Sequence, residues 1–72
     1  MDIKEKIGNR IKELRNLKKI SQLQLSNLAN LDRTYITSVE NGKRNVSIVN
    51  IEKIAHALDI TIKKYFEDEK FE

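Results

Sequence analysis

The sequence predicts an all-α fold, a bundle of five short helices in one domain. Three observations carry this expectation. Apolar residues recur at steps of three and four along most of the chain, residues with N-cap character precede successive apolar runs, and Pro and strand-like alternation are absent. Twenty Ile, Leu and Val with two Phe among 72 residues are too many for a disordered chain and enough for one core.

Ile3, Ile7, Ile11, Leu14 and Leu17 form the inward stripe of the first helix, with Lys and Arg on the opposite side. Asp2 and Glu5 have the spacing of a capping box at its start. Gly8 costs this helix about 1 kcal/mol relative to Ala, which a close approach to another backbone would explain. Ser21 and Gln24 repeat the capping signal ahead of a second helix ending at Ala29, its inner side being Leu25 and Leu28. Asn30 tolerates the left-handed conformation and can turn the chain into a third helix. That helix covers about 32–41, with Asp32 as its cap, Ile36 and Val39 inward, and Gly42 as the left-handed residue beyond its end. Ser47 caps a fourth helix whose inner side is Ile48, Ile51, Ile54, Ala55 and Leu58. Thr61–Glu67 supplies a last turn or two with Ile62, Tyr65 and Phe66. The domain therefore spans 1–66, and the acidic tail 67–72 is expected to fray.

At this length folding removes only about 60% of the surface of the open chain, so a further source of stability is expected. The absence of Cys excludes a disulfide framework, a thiol nucleophile and thiolate zinc sites, which points to a second subunit as that source. No apolar run approaches membrane-spanning length and no secretory h-region follows the start, so the sequence predicts a soluble, cytoplasmic protein. The net charge of +3 hides an asymmetry: residues 67–72 carry four acids and one Lys, whereas residues 1–66 carry thirteen bases and seven acids. A basic body points toward polyanions.

Catalysis is not expected. The single His, His56, falls opposite the inner side of the fourth helix as an exposed polar residue. The two Gly are too far apart for a phosphate loop, and no paired carboxylates or metal-ligand spacing are present. No cofactor, metal or small-molecule ligand is indicated.

The informative stretch is Ser21–Gly42, SQLQLSNLANLDRTYITSVENG, two short capped helices joined by a tight turn. This is a helix-turn-helix pattern. With Ile36 and Val39 turned inward, Thr34, Thr37, Ser38 and Asn41 face outward and Arg33 stands beside them at the first turn. That side is short, polar and non-acidic, as a helix entering a groove about 12 Å wide between phosphate rows requires. An unconstrained solvent face would more often use Glu, Lys or Ala.

The segment SQLQLSNLANLDRTYITSVENGKRNVS resembles the lambda-repressor/Cro-like helix-turn-helix family, a likeness running from about Ile7 to Phe66. Within it, LDRTYITSVENGKRNVSIVNIEKIAHAL is most similar to controller proteins of restriction-modification systems. The resemblance implies a five-helix domain that dimerises through its C-terminal part. It also implies pseudo-palindromic operators in double-stranded DNA, upstream of its own gene and that of an endonuclease.

Carried over by residue, it puts Arg33 and Thr34 against base edges, with Thr37 and Ser38 also on the groove face. Tyr35 and Asn41 lie along the phosphates, and Thr37 is implied there as well. Arg33 can donate twice to guanine, and the Thr34 methyl can touch thymine. Gln22 would bind phosphate with the free N–H groups of its helix, and Lys43, Arg44 and Asn45 would lie near the backbone at the dimer centre. Arg15 and Glu40 match an ion pair tying the first helix to the third. The chain departs from the family at Asn30, where Gly is usual, and at Ser26, where Ala is usual. The second helix also lacks the acidic residues that activators present to RNA polymerase, which enters as a partner on the resemblance alone.

One recognition helix reads too few base pairs to stand far above non-specific binding, so a homodimer is expected. Leu58, Ile60, Ile62, Tyr65 and Phe66 are its expected interface. Two other readings are a phage-type repressor without a restriction system and an antitoxin that neutralises a protein toxin.

Overall fold

A computed structural model describes all 72 residues. The elements are α1 (Ile3–Leu17), α2 (Gln22–Ala29), α3 (Arg33–Glu40), α4 (Ile48–Ala57), α5 (Ile62–Phe66) and a closing 3-10 turn (Glu69–Phe71). Every helix begins on a side chain that accepts from its first turn: Asp2, Ser21, Asp32, Ser47 and Thr61. Asp2 with Glu5, and Ser21 with Gln24, complete reciprocal capping boxes. Short helices are marginal alone, so these caps fix where each starts while packing supplies stability.

The helix endings follow one scheme. Lys19, Asn30, Gly42 and Asp59 all have positive φ. At each, the residue's own N–H and that of its successor turn back to carbonyls of the last turn. The successors Ile20, Leu31 and Ile60 then pack against the core. Asn30 and Gly42 are the expected left-handed residues, whereas Lys19 and Asp59 adopt that conformation without the side chain that would announce it.

α3 is packed between α1 and α2, α2 also touches α4, and α4 touches α5. The core is Ile7, Ile11, Leu14, Leu25, Ala29, Ile36, Val39, Ile51, Ile54, Ala55, Leu58 and Tyr65. Gly8 makes the close approach expected of it: a Cβ there would overlap the Val39 carbonyl oxygen and lie 2.9 Å from that of Glu40. Ser26, in place of the usual Ala, is buried and its hydroxyl donates to the Leu23 carbonyl at 2.7 Å.

Four expected core residues lie outside it. Ile3, Leu17, Leu28 and Ile48 are exposed, because each sits at a helix end or edge beyond the reach of the packed neighbours. The opposite correction applies to Arg10, expected on the solvent side of α1 but buried. Its Nε donates to the Tyr65 carbonyl at 2.7 Å, one terminal nitrogen to that of Lys64 at 3.0 Å, and the other to Asp68 at 3.3 Å. Those carbonyls belong to the last turn of α5, so the guanidinium caps that helix from α1. The Tyr65 hydroxyl answers by donating to the Ile7 carbonyl at 3.0 Å. Burial pushes this phenol well above its ordinary range, with Arg10 opposing, so it stays a donor.

The tail, expected to fray, has packing partners in the structure. Phe71 packs on the core and edge-on against Phe66, with ring centroids 5.0 Å apart. Lys70 Nζ bonds Glu13 at 2.7 Å and Asp68 at 2.9 Å. The Lys70 backbone N–H, and then its ammonium, hold the Asp68 carboxyl below its ordinary value. Burial pulls Lys70 down, but its bonds to Glu13 and Asp68 outweigh this and leave it raised. Four acids in six residues read as a solvated run, yet Arg10, Glu13 and Lys70 give the segment specific partners.

Two measurements follow. Arg10→Ala leaves the Tyr65 carbonyl without its donor and strips a second from that of Lys64, and should cost about 3 kcal/mol in urea unfolding. Asp68 is depressed in the folded state, so its contribution is present above its unfolded value, near 3.8, and is lost as pH falls through the folded one. Lys70 is raised, so its contribution is present below its unfolded value of 10.5 and disappears at higher pH. The Phe71 ring NMR shifts should therefore be constant between these limits and move toward free-chain values on the acid side.

Candidate nucleic-acid interface

α2 and α3 are joined by Asn30, Leu31 and Asp32, with Asn30 at φ 56° and ψ 45°. Leu31 is half-buried, and the Asp32 carboxylate accepts from the Thr34 N–H at 2.9 Å, so both ends of the turn are fixed. Ile36 and Val39 then anchor α3 in the core.

On the opposite side Arg33, Thr34 and Asn41 are exposed, and Thr37 and Ser38 are half-buried. The Arg33 guanidinium makes no hydrogen bond or ion pair within the chain, and Glu40, at the far end of α3, is buried and committed to other partners. An unpaired fork at the open end of a helix whose outer face is non-acidic can bind two acceptors of a guanine edge. Asn41 caps the end of α3 through its backbone.

Behind this face lies a buried polar network. Glu40 has a fully buried side chain, and Arg15 from α1 binds it twice, Nε at 2.8 Å and a terminal nitrogen at 3.1 Å. The expected ion pair is thus present. The side-chain bond to Glu40 holds the Arg15 guanidinium above its ordinary value, with burial opposing. A third donor had not been expected: Gln22 Nε2 reaches Glu40 at 3.1 Å, and Gln22 Oε1 accepts from the Thr37 hydroxyl at 3.0 Å. Gln22 is thus a bracket between α2 and α3, and one amide hydrogen is left for an anion outside. No buried side-chain polar atom in the molecule lacks a partner.

The far flank is built on Tyr35. Asn50 of α4 donates to its hydroxyl at 3.0 Å, and the Arg44 guanidinium lies 4.9 Å from its ring centroid. The Tyr35 proton remains free to donate. Arg44 is thus drawn beside the start of α3, and a cleft of about 410 Å³ opens among Leu31, Asp32, Thr34, Tyr35, Arg44 and Asn50. Lys43 and Asn45 are exposed on the same loop.

The structure therefore gathers Arg33, Thr34, Thr37, Ser38 and Asn41 on one helix face, between Gln22 and the Tyr35–Arg44 flank. It does not gather the expected dimer residues on a free surface. Leu58 and Tyr65 are 1% and 0% exposed and seal the core instead. Ile60, Ile62 and Phe66 are half-buried. Asn50 was missed, having no signal beyond its place near the cap of α4. His56 is exposed, and no three metal-ligating side chains converge anywhere in the molecule. No helix is long and apolar enough to cross a membrane.

Comparison with known proteins matches residues 11–65 to the helix-turn-helix family HTH_3. The chain is 52% identical over 68 residues to control protein C.MunI of a Mycoplasma species, spanning 93% of this chain and 92% of that protein. Its structure is similar to the restriction-modification controller protein C.AhdI from Aeromonas hydrophila, with TM-score 0.84 and 51% identity over 88% of this chain and 91% of that one. It is also similar to the C.Esp1396I controller tetramer in complex with its natural 35 base-pair operator, with TM-score 0.88 and 34% identity over 93% and 88% of the two chains.

Glu40→Ala should destabilise the domain by about 3–5 kcal/mol, because Arg15 loses its partner in a largely buried position. Replacing the pair together, Arg15→Met with Glu40→Leu, should recover much of that loss in urea unfolding. Recovery would separate the penalty of an orphaned charge from the value of the pair.

Proposed function

We propose, from the premise that the chain belongs to the helix-turn-helix family of restriction-modification controller proteins, that it binds as a homodimer to a pseudo-palindromic operator upstream of its own gene and that of the endonuclease. The observation that carries this reading is the unpaired Arg33 fork at the head of a non-acidic helix face whose pose is fixed from behind by Glu40. Arg33 and Thr34 address base edges. Gln22, Tyr35, Asn41, Lys43, Arg44 and Asn45 address the sugar-phosphate backbone, with Arg44 able to leave the Tyr35 face for a narrow minor groove. Two such helices related by a two-fold axis would read half-sites about 34 Å apart on one side of the duplex.

With Leu58 and Tyr65 committed to the core and Phe66 partly covered by Phe71, the two-fold contact requires other apolar surface. Ile48 and Val49, 63% and 59% exposed, lie on the first turn of α4 directly after the Lys43–Asn45 loop. A dimer that brings both basic loops to its centre also brings these first turns together, with Ile60 and Ile62 as the remaining apolar contributors. Burying them removes a surface that a monomer would leave wet. The charge asymmetry supports this orientation, since the acidic tail is held against α1 through Arg10, Glu13 and Lys70 rather than beside the loop.

Purified protein should retard DNA from immediately upstream of its gene, with affinity falling steeply as salt rises. Arg33→Ala should lose about 1–3 kcal/mol of discrimination at one base pair per half-site. Val49→Asp should sediment as a monomer at micromolar concentration and lose operator binding while staying folded. If that variant still dimerises, the interface lies elsewhere.

A further inference from the structure

The network behind α3 has a direction, set by the chemistry of its members. Glu40, bound twice by Arg15, is a carboxylate that only accepts. The Gln22 group facing it at 3.1 Å must therefore be the amide nitrogen, which turns Gln22 Oε1 toward Thr37. The Thr37 hydroxyl thus stands between two acceptors, Gln22 Oε1 at 3.0 Å and the Arg33 carbonyl at 3.1 Å. It has one proton, and both neighbours compete for it. Turning the proton outward would leave oxygen facing oxygen at these distances. Toward the groove the hydroxyl therefore offers lone pairs only.

Thr37 stands one turn along from Arg33 on the same side of α3 and is half-buried, not enclosed. An obligate acceptor there has no use for a phosphate oxygen, guanine O6 or N7, or thymine O4, because none of these donates. The complementary groups in the major groove are the exocyclic amino groups, N6 of adenine and N4 of cytosine. We propose that Thr37 is a specificity residue that accepts a hydrogen bond from such an amino group, its polarity imposed by Glu40 through Gln22, both acting as positioning residues. This rests on the operator-binding reading and narrows the two roles implied for Thr37: it reads a base and does not hold the backbone.

The test is the base-preference profile of the full-length protein on a duplex library randomised across both half-sites. Wild type should favour adenine or cytosine at one position that Thr37→Val makes indifferent, while Thr37→Ser, which keeps the hydroxyl, preserves the preference. At that position an analogue lacking the amino group, purine for adenine or 2-pyrimidinone for cytosine, should weaken wild type about three- to tenfold and leave Thr37→Val unchanged. Gln22→Met removes one of the two acceptors that hold the hydroxyl proton and leaves the Arg33 carbonyl alone, so it should weaken the preference at the same position while the Arg33-dependent one persists.

Three results overturn the inference: an unchanged profile in Thr37→Val, indifference of wild type to loss of the amino group, or a Gln22→Met profile identical to wild type. A wild-type protein with no sequence preference overturns the operator reading itself, and this inference with it.

Discussion

The Glu40 carboxylate sets the pose of α3, the helix proposed to enter the groove. A charge with no solvent contact is tolerated only when its oxygens are occupied by donors, and the donors come from α1 and α2 while the carboxylate belongs to α3. Three elements are thereby fixed relative to one point. Such a pair contributes little net stability over a well-packed apolar substitute. Its value is geometric, because a shift or roll of α3 would strip partners from a buried charge. The polar outer face of α3 inherits its orientation from an interaction buried behind it.

The sequence was legible wherever one local rule decided the outcome. Caps depend on a single side chain and the next turn, so four starts could be placed from Asp2, Ser21, Asp32 and Ser47, while Thr61 shows its cap only in the structure. The α2–α3 turn and its left-handed Asn30 follow for the same reason. Where packing decides, periodicity overreached: Ile3, Leu17, Leu28 and Ile48 keep the apolar step but have nothing to pack on. Arg10 shows the reverse. It stands three residues after Ile7 and four before Leu14, on the apolar side by spacing, and residue type alone argued against burial. Lys19 and Asp59 are left-handed because the helices around them must end there, a tertiary demand that no side chain announces. The polar outer face of α3 was readable from its composition, whereas the Gln22 bracket depends on separations known only after folding.

A chain this short was expected to need reinforcement from outside. Part of it comes from within. Arg10 and Tyr65 exchange bonds with backbone carbonyls on each other's helices, and the tail lays Phe71 over Phe66. The first and last helices are thus joined, and Arg10 occupies the Tyr65 carbonyl, which the end of α5 leaves without a backbone donor. Reading the tail as solvent-facing missed this because the partners of Asp68 and Lys70 lie more than fifty residues earlier in the chain.

Gly8 bears on how such a protein could change its target. Its missing side chain lets α1 touch the carbonyls at the end of α3, which sets the depth at which the helix is seated. Drift in sequence there would move every groove-facing side chain at once. On the proposed reading, a new cognate site would come from exchanges among the exposed side chains of α3, each altering one letter of the recognised word while the seat stays constant. Diversification would then be stepwise, by spelling and not by posture.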